Sequence, residues 1–369
     1  MEPHQCGLSG ETVGGAGSAA RDPMRSGARK DAWRVTVGKV FGVGLLGIVV
    51  TGMTVWGMGA LYYSELPALL RSVLAATFGL ATAGAFLVLP RRRRTLLGFV
   101  LVWGALVGWW STITPSNDRD WQPDVAVLPS ATVDGDYVTL HNIRNFAYRT
   151  ATGFTPRYDD KTFDLRRLDS VDLISSYWAG EAIAHLFGSF DFGGQDYVAI
   201  SAEIRKERTE DYSSLKGFFK QYELFYVVAD ERDVIRLRTT YRQPQEDVYL
   251  YRTRVPPAQA RRLFLDYVRD INRLAEQPAF YNTLTTNCTT AILFHARASG
   301  GIARYNWKIL LSGYAPAYAY EIGRLDTRLP FMELKRLSHI NARAHAAGDA
   351  PDFSQRIRAG LPIPSPDSR

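Results

Sequence analysis

The feature that most constrains this sequence is a series of three long apolar runs near its N-terminus. Residues 40–61 and 95–113 contain no charged side chain, and residues 69–89 contain only Arg71. A helix of about 20 apolar residues is long enough to cross the hydrocarbon core of a bilayer. The runs therefore predict three transmembrane helices, and Arg71 is tolerable because a long basic side chain near a span end can reach the interface.

The basic residues around these runs predict an orientation. Five Lys and Arg residues lie between positions 25 and 39, the run Arg91 to Arg94 separates the second and third spans, and residues 62–67 contain neither Lys nor Arg. Positively charged loops stay in the cytoplasm, so we expect a cytoplasmic N-terminus and a C-terminal domain outside. A cleaved signal peptide is the alternative, but two further apolar runs follow the first and no small-residue cleavage pattern separates them.

Composition divides the rest of the chain into segments. We predict a disordered cytoplasmic leader over 1–36, transmembrane helices within 37–114, an extracytoplasmic domain over 115–345 and a flexible tail over 346–369. The net charge of +7 could suggest a nucleic-acid partner. The densest basic run is already explained by topology, however, and no nucleic-acid-binding motif accompanies the others, so nucleic acid is not expected. The localisation expected is a bacterial inner membrane, with the domain in the periplasm.

The soluble part predicts an α+β domain in which an antiparallel sheet packs against helices. Apolar runs broken by turn residues predict strands, and residues 257–275 and 289–298 carry the spacing of helices. Pro257 suits the first turn of the longer helix. The strands are expected at 137–146, 184–192, 197–204, 222–228, 234–241 and 248–255.

A single cysteine in this domain suggests chemistry. The chain contains only Cys6 and Cys288, and the expected topology places them on opposite sides of the membrane. Asn287 and its polar neighbours lead into an apolar run, which places Cys288 in the first turn of a helix. Helix N-termini favour a thiolate and can stabilise an oxyanion. Catalysis is one explanation, and a small buried core residue is the other.

A cysteine nucleophile needs a base, and His185 is the best candidate. His295 lies seven residues along the same helix, roughly 10 Å away by helical rise, and is too distant. If the turn after the His185 strand takes residues 193–195, Glu203 falls opposite His185 and can orient the imidazole. A two-residue turn would face Glu203 away, and Ser201 is the poorer alternative for that role. A half-buried structural histidine is the competing interpretation.

Several motifs resemble the Lnb N-terminal periplasmic domain family over roughly residues 121–300. That resemblance implies a circularly permuted papain-like fold in which Cys288 and His185 form a thiol-based site, and it links the chain to N-acylation of bacterial lipoproteins. Within the same motifs we expect Tyr281, Asn287 and Ser201 to contact substrate. Neither a cofactor nor a metal is expected, because no Cys or His pair has ligand spacing. The motifs are 141–148, 184–190, 201–205, 222–223, 230–233 and 281–290.

Two classes of function remain open at this point. The first is a membrane-tethered thiol acyltransferase or hydrolase of amide or ester bonds, acting on lipid or lipoprotein, with cleavage of peptidoglycan peptides as its runner-up. The second is a non-catalytic envelope binding module in which Cys288 is a core residue. Residues 309–318 could form an apolar wall or a membrane-contacting loop, although core packing is the default for such a run.

Overall fold

The computed structural model describes residues 23–364, with side chains described from residue 40 onward. Cys6, residues 1–22 of the predicted leader and residues 365–369 of the predicted tail lie outside the described residues.

Three N-terminal helices are long and apolar enough to cross a membrane: α1 (Pro23–Tyr62), α2 (Ala68–Val88) and α3 (Arg92–Ser111). Within α1 the membrane-compatible part is Val40–Tyr62, which confirms the three predicted runs. Residues 23–36 were placed in a disordered leader, and that prediction is wrong for them because they form the first turns of α1. Arg, Lys and Ala are good helix formers, so the helix extends beyond the apolar run.

The chain divides into two units. One comprises the described residues up to Gly59 together with Val73–Gly104, and the other comprises Ala60–Ser72 and the chain from Ala105 onward. Within the first unit, the Trp103 indole N–H donates to the Met53 carbonyl at 3.1 Å, and the Trp56 ring packs against it. The ends of the spans that include residues 60–72 and 105–111 thus belong to the same unit as the soluble domain.

The second unit is built on a mixed, mainly antiparallel sheet with the order β1-β2-β9-β8-β7-β6-β10. β2 pairs with β9 in parallel, and the other pairings among the described residues are antiparallel. β5 adds to β2, β11 adds to β9, and β3 with β4 forms a separate small ribbon. The strands are β1 (Ser130–Asp134), β2 (Tyr137–Arg144), β3 (Ala147–Tyr148), β4 (Phe154–Thr155), β5 (Tyr158–Asp164), β6 (Leu168–Tyr177), β7 (Ala184–Phe192), β8 (Asp196–Arg205), β9 (Glu223–Ala229), β10 (Asp247–Arg252) and β11 (Ala279–Phe280).

Helices cover both faces of this sheet. The helices are α4 (Glu231–Arg236), α5 (Pro257–Glu276), α6 (Cys288–Ala298), α7 (Trp307–Leu310), α8 (Ala315–Glu321), α9 (Phe331–Ser338), α10 (Asn341–Ala347) and α11 (Phe353–Arg358). Phe264 and Tyr267 of α5 pack on Phe190, while Ile357 of α11 joins Phe187 in the core on the opposite face. The predicted α+β class is confirmed, and burying one apolar stripe of each helix against a sheet face is its physical basis.

One predicted strand is wrong. Residues 234–241 were expected to form a strand because they are rich in Val, Ile, Thr and Tyr, but they form the end of α4 and a π-helical segment, Leu237–Tyr241. The Asp230 side chain accepts a hydrogen bond from the Arg232 N–H and caps α4, so a helix start signal overrides the β propensity. The sequence analysis also missed β1, β5 and β6 and the two-residue strands β3, β4 and β11.

The predicted flexible tail is wrong for most of its length. α11 packs Phe353 and Ile357 into the core, and Leu361 follows them. The Arg358 guanidinium is buried, donating to Glu231 at 2.7 Å and to Asp172 at 2.8 Å. The segment is short, but its apolar side chains and its one buried cation tie it to the domain.

Candidate functional site

Cys288 is the first residue of α6, as the sequence predicts. The Asn287 side-chain oxygen accepts hydrogen bonds from the N–H groups of Thr289 and Thr290 at 3.0 and 2.9 Å. The Thr290 hydroxyl in turn accepts from the Asn287 N–H at 2.8 Å, which completes a capping box. Local chemistry therefore fixes the helix start and places a partly exposed thiol at its positive end.

His185 and the Cys288 thiol are close enough to shift each other's pKa, and His185 lies in the part of β7 that diverges from β8. Their pairing runs from Phe192 opposite Asp196 to Gly188 opposite Ile200, with a three-residue turn between them. Glycine is required in this turn, since Gly193 and Gly194 have φ of 72° and 71°. On the other side of Gly188, towards His185, β7 pairs only with β6 and β8 pairs only with β9, which leaves a gap between β7 and β8. The turn therefore has three residues, as the first alternative predicted. If the β7–β8 register is extended by three residues beyond the Gly188–Ile200 pair, His185 lies opposite Glu203.

The imidazole of His185 is held from one side by a carboxylate and a hydroxyl. Its Nε2 lies 2.9 Å from Glu203 Oε1 and 2.6 Å from Ser201 Oγ, while the Ser201 hydroxyl donates to the same Glu203 oxygen at 2.9 Å. Because the Ser201 proton goes to Glu203, both partners accept from His185, and these contacts assign the proton to Nε2. Nδ1 is then the nitrogen that can take a proton from the thiol.

The thiol and the imidazole favour an ion pair. Burial opposes charge on His185, but Glu203 and the Cys288 sulfur outweigh it and raise its pKa to about 9. Burial likewise opposes the thiolate, but His185 outweighs it and lowers the pKa of Cys288 below its ordinary value. The pKa of Glu203 lies well below its usual range, because His185 and Arg238 outweigh the effect of burial. All three shifts favour the thiolate–imidazolium state.

Backbone donors also face the sulfur. After burial and the interaction with His185, a hydrogen bond from the Leu186 N–H is a further cause of the lowered Cys288 pKa. The N-terminal N–H groups of α6 lie beside the same atom. An N–H group near the nucleophile and a helix N-terminus together make an arrangement able to stabilise an oxyanion.

Arg238 is a site residue that the sequence analysis missed. It comes from the π-helical segment, its side chain is 3% exposed, and its guanidinium donates to Glu203 Oε1 at 3.0 Å. Glu246 lies on its other side at 3.9 Å, and Ser176 and Arg242 both donate to Glu246. The start signal at Asp230 could have revealed the helix, but nothing local points from Arg238 to Glu203, 35 residues away.

The three expected substrate contacts lie in different settings. Tyr281 is partly buried near the thiol, and burial first and Cys288 second raise the pKa of its hydroxyl. Asn287 is engaged in capping, and its amide also donates to the Thr283 carbonyl at 2.7 Å. Ser201 is 1% exposed and lies between His185 and Glu203. Its hydroxyl is therefore engaged with these two groups, and a contact between Ser201 and substrate stays a prediction.

His295 belongs to a separate cluster. Its Nδ1 lies 2.8 Å from Asp266 and its Nε2 lies 2.6 Å from the Tyr226 hydroxyl, which donates to Asp270 at 2.8 Å. Burial lowers its pKa despite the two carboxylates. This cluster packs α5, α6 and β9 together, and His295 is not among the groups around the thiol. Within the described residues, no group of three or more His, Cys, Asp and Glu side chains could hold a metal ion.

Comparison with known proteins bears on the same region. Residues 154–313 match the family model described as the Lnb N-terminal periplasmic domain, which confirms the resemblance seen in the motifs. The matched range contains His185, Ser201, Glu203 and Cys288. No curated protein and no solved structure matches the chain. Together with the three apolar helices, the match indicates a membrane protein with a periplasmic domain.

Proposed function

We propose that this protein is a membrane-anchored, thiol-dependent acyltransferase or amide and ester hydrolase that works through an acyl intermediate on Cys288. The observation that carries the proposal is the constellation of Cys288, His185 and Glu203, in which the pKa shifts of all three groups favour a thiolate beside an imidazolium. A nucleophile, a base and a residue that orients the base are what covalent acyl transfer requires.

The reaction has two halves. The Cys288 thiolate attacks the carbonyl carbon of an ester or amide, and the Leu186 N–H with the α6 N-terminus stabilises the oxyanion. The His185 imidazolium gives its proton to the departing alcohol or amine, and a thioester forms on Cys288. An amine or water then attacks the thioester and loses its proton to His185, which regenerates the thiolate.

Contacts within the second unit support a substrate at the membrane surface. Lys220 donates to the carbonyls of Trp110 and Ile113 just after α3, at 3.0 and 2.9 Å. Three residues before Lys220, the Gly217 carbonyl accepts from the Thr283 N–H at 3.3 Å. Thr283 is bonded to Asn287, the residue before the nucleophile. The site is therefore linked by a few contacts to the end of a span, where lipid or a lipoprotein is at high effective concentration.

The test is acyl transfer by purified protein in lipid nanodiscs, given phospholipid plus a lipopeptide in one reaction and peptidoglycan fragments in another. We expect acyl transfer or lipid hydrolysis and, by intact mass spectrometry, an acyl adduct on Cys288. Cys288→Ser and His185→Ala should each abolish it, without additivity in the double variant, because the pair acts as a unit. Glu203→Gln should cost less, since Glu203 orients a reacting group and forms no bond.

Two matched variants control for the fold and for general thiol chemistry. Cys6→Ser removes the other thiol, and His141→Ala removes a partly exposed histidine that pairs with Asp160. Both should keep full activity. Release of wall peptides without acyl transfer would favour a peptidoglycan hydrolase instead. Unchanged activity in Cys288→Ser would eliminate a thiol enzyme, and a folded protein inactive on both substrates would favour a binding module.

A further inference from the structure

A cavity of about 140 Å³ lies along one side of α6. It is lined by Thr289, Ile292, Leu293 and Ala296 of α6 and by Ser299, which follows the helix directly, and these residues share one helical face. The other walls come from β6, β7, α5, α8 and their loops, and most of the lining side chains are aliphatic or aromatic. None of the steps of the proposed reaction uses this space.

The lining of the cavity includes the residues that directly follow Cys288 and His185, but not those two residues themselves. Thr289 follows the nucleophile directly, and Leu186 follows His185 and directs its N–H at the sulfur while its side chain lines the cavity. The lining on α6 then continues from Thr289 to Ala296, about 10 Å along the helix axis. A group joined to the carbonyl that Cys288 attacks would therefore meet an apolar space that leads away from the thiol.

The size of the cavity limits what it can hold. An apolar cavity of roughly 150 Å³ stays dry and binds benzene, so this one has room for about six carbons. Charged or strongly polar groups would lose hydration without gaining partners in such a space. Its extension along the helix axis favours an unbranched chain over a bulky branched side chain.

We propose that this cavity is an acyl-chain subsite that holds the first six or so carbons of the acyl group carried by Cys288. The inference rests on the proposed function for its biological meaning. An alkyl chain attached to the sulfur of Cys288 would occupy the space beside Ala296 whether or not the protein is an enzyme. A longer chain would continue past Ser299 at the far end.

The test measures chain-length preference in a reaction that needs only a reactive thiol. Methyl and hexyl methanethiosulfonate are each added to the full chain in nanodiscs in a Cys6→Ser background. The Cys288 sulfur attacks the alkyl-bearing sulfur, methanesulfinate leaves, and the alkyl disulfide on Cys288 is followed by mass spectrometry. The hexyl-to-methyl rate ratio is divided by the same ratio for 2-mercaptoethanol.

We expect a normalised ratio of about ten or more, because each buried methylene contributes about fourfold at full burial. Ala296→Leu fills the cavity from α6 and should return the ratio toward one, with little change in the methyl rate. Ala319→Leu fills it from α8 and should do the same. Ala298→Leu is the matched control, since Ala298 is exposed on the same helix and does not line this cavity. It also corrects for partition of the hexyl reagent into lipid.

Equal ratios in the unmodified chain, Ala296→Leu and Ala298→Leu would overturn the subsite. The same holds if Ala298→Leu lowers the ratio as much as Ala296→Leu does. A preference for the hexyl reagent without turnover of any ester or amide would support the subsite and contradict the proposed enzymatic function. The two failures are therefore distinguishable. Thermal unfolding of each variant identifies a loss of fold, and Ala319→Leu replaces Ala296→Leu if the latter does not fold.

Discussion

At the scale of residues, the reactivity of Cys288 depends on charges that surround one imidazole. His185 lies between a thiol on one side and Glu203 with Ser201 on the other. His185 and, after it, Arg238 keep Glu203 ionised against the effect of burial, so the carboxylate can stabilise a positive imidazole in a site that burial would otherwise keep neutral. The reactivity of the thiol therefore depends on His185 and, through the imidazole, on Glu203, Ser201 and Arg238.

This arrangement predicts an unusual pH dependence for alkylation of Cys288 by iodoacetamide. The pKa of the thiol is lowered and that of His185 is raised to about 9, so the ion pair persists between the two values. We expect the rate constant, followed by peptide mapping, to rise much less than tenfold per pH unit from pH 6.5 to 8.5. At pH 6.5 it should exceed that of a free thiol.

The matched comparison is His185→Gln, which removes the cation but keeps a polar side chain. In this variant burial raises the pKa of Cys288 and His185 no longer lowers it. The alkylation rate should therefore be low at pH 6.5 and rise nearly tenfold per pH unit. Identical steep profiles in both proteins would show that His185 does not control the thiol. His141→Ala, which removes a partly exposed histidine paired with Asp160, should reproduce the unmodified profile.

At the scale of elements, short segments hold the site in place through buried charge. α11 contributes Arg358, which forms a two-pronged pair with Glu231 of α4 and a further bond with Asp172 of β6. Both carboxylates are fully buried. α4 continues into the segment that carries Arg238, so a C-terminal helix supports the element that supplies a site residue.

Arg358→Met should therefore destabilise the domain strongly. Removal of Arg358 leaves the buried Glu231 without its cationic partner and leaves Asp172 with Arg252 alone, which costs about 3–5 kcal/mol and lowers the melting temperature by roughly 10 °C. Arg356→Met on the same helix is the control, because Arg356 is half-exposed and its pair with Asp352 lies at the surface. Thermal unfolding should separate the two variants, and equal melting temperatures would contradict the structural role of α11.

At the scale of the whole molecule, the orientation of the spans decides which compartment the site faces. The basic run Arg91 to Arg94 and the absence of Lys and Arg from residues 62–67 predict that the chain after α3 is outside. A reporter that is active only in the cytoplasm should be silent when fused after Asp367. The same reporter fused after Arg94 should be active, and strong activity at Asp367 would reverse the topology.

Much of the molecule follows from local sequence signals. The three spans come from uninterrupted apolar runs, α5 from its helical spacing, and the start of α6 from a capping residue next to Cys288. Each of these signals lies within a window of about 20 residues or fewer, so chain neighbours alone decide the outcome. The two strands of the β7–β8 hairpin were predictable from the sequence, but the length of the turn between them was not. That length decides which residue of β8 lies opposite His185.

Tertiary structure alone decided the rest. The divergence of β7 and β8, the pairing of Arg238 with Glu203, the docking of α11 and the cavity along α6 all join groups far apart in the chain. A buried charge requires an opposite charge nearby, and a helix requires a surface that buries its apolar stripe. Neither requirement shows, from the sequence alone, which residue or element will be the partner. The sequence by itself determined where the thiol and the spans lie. Only the packed domain determined which charges act on that thiol and what space lies beside it.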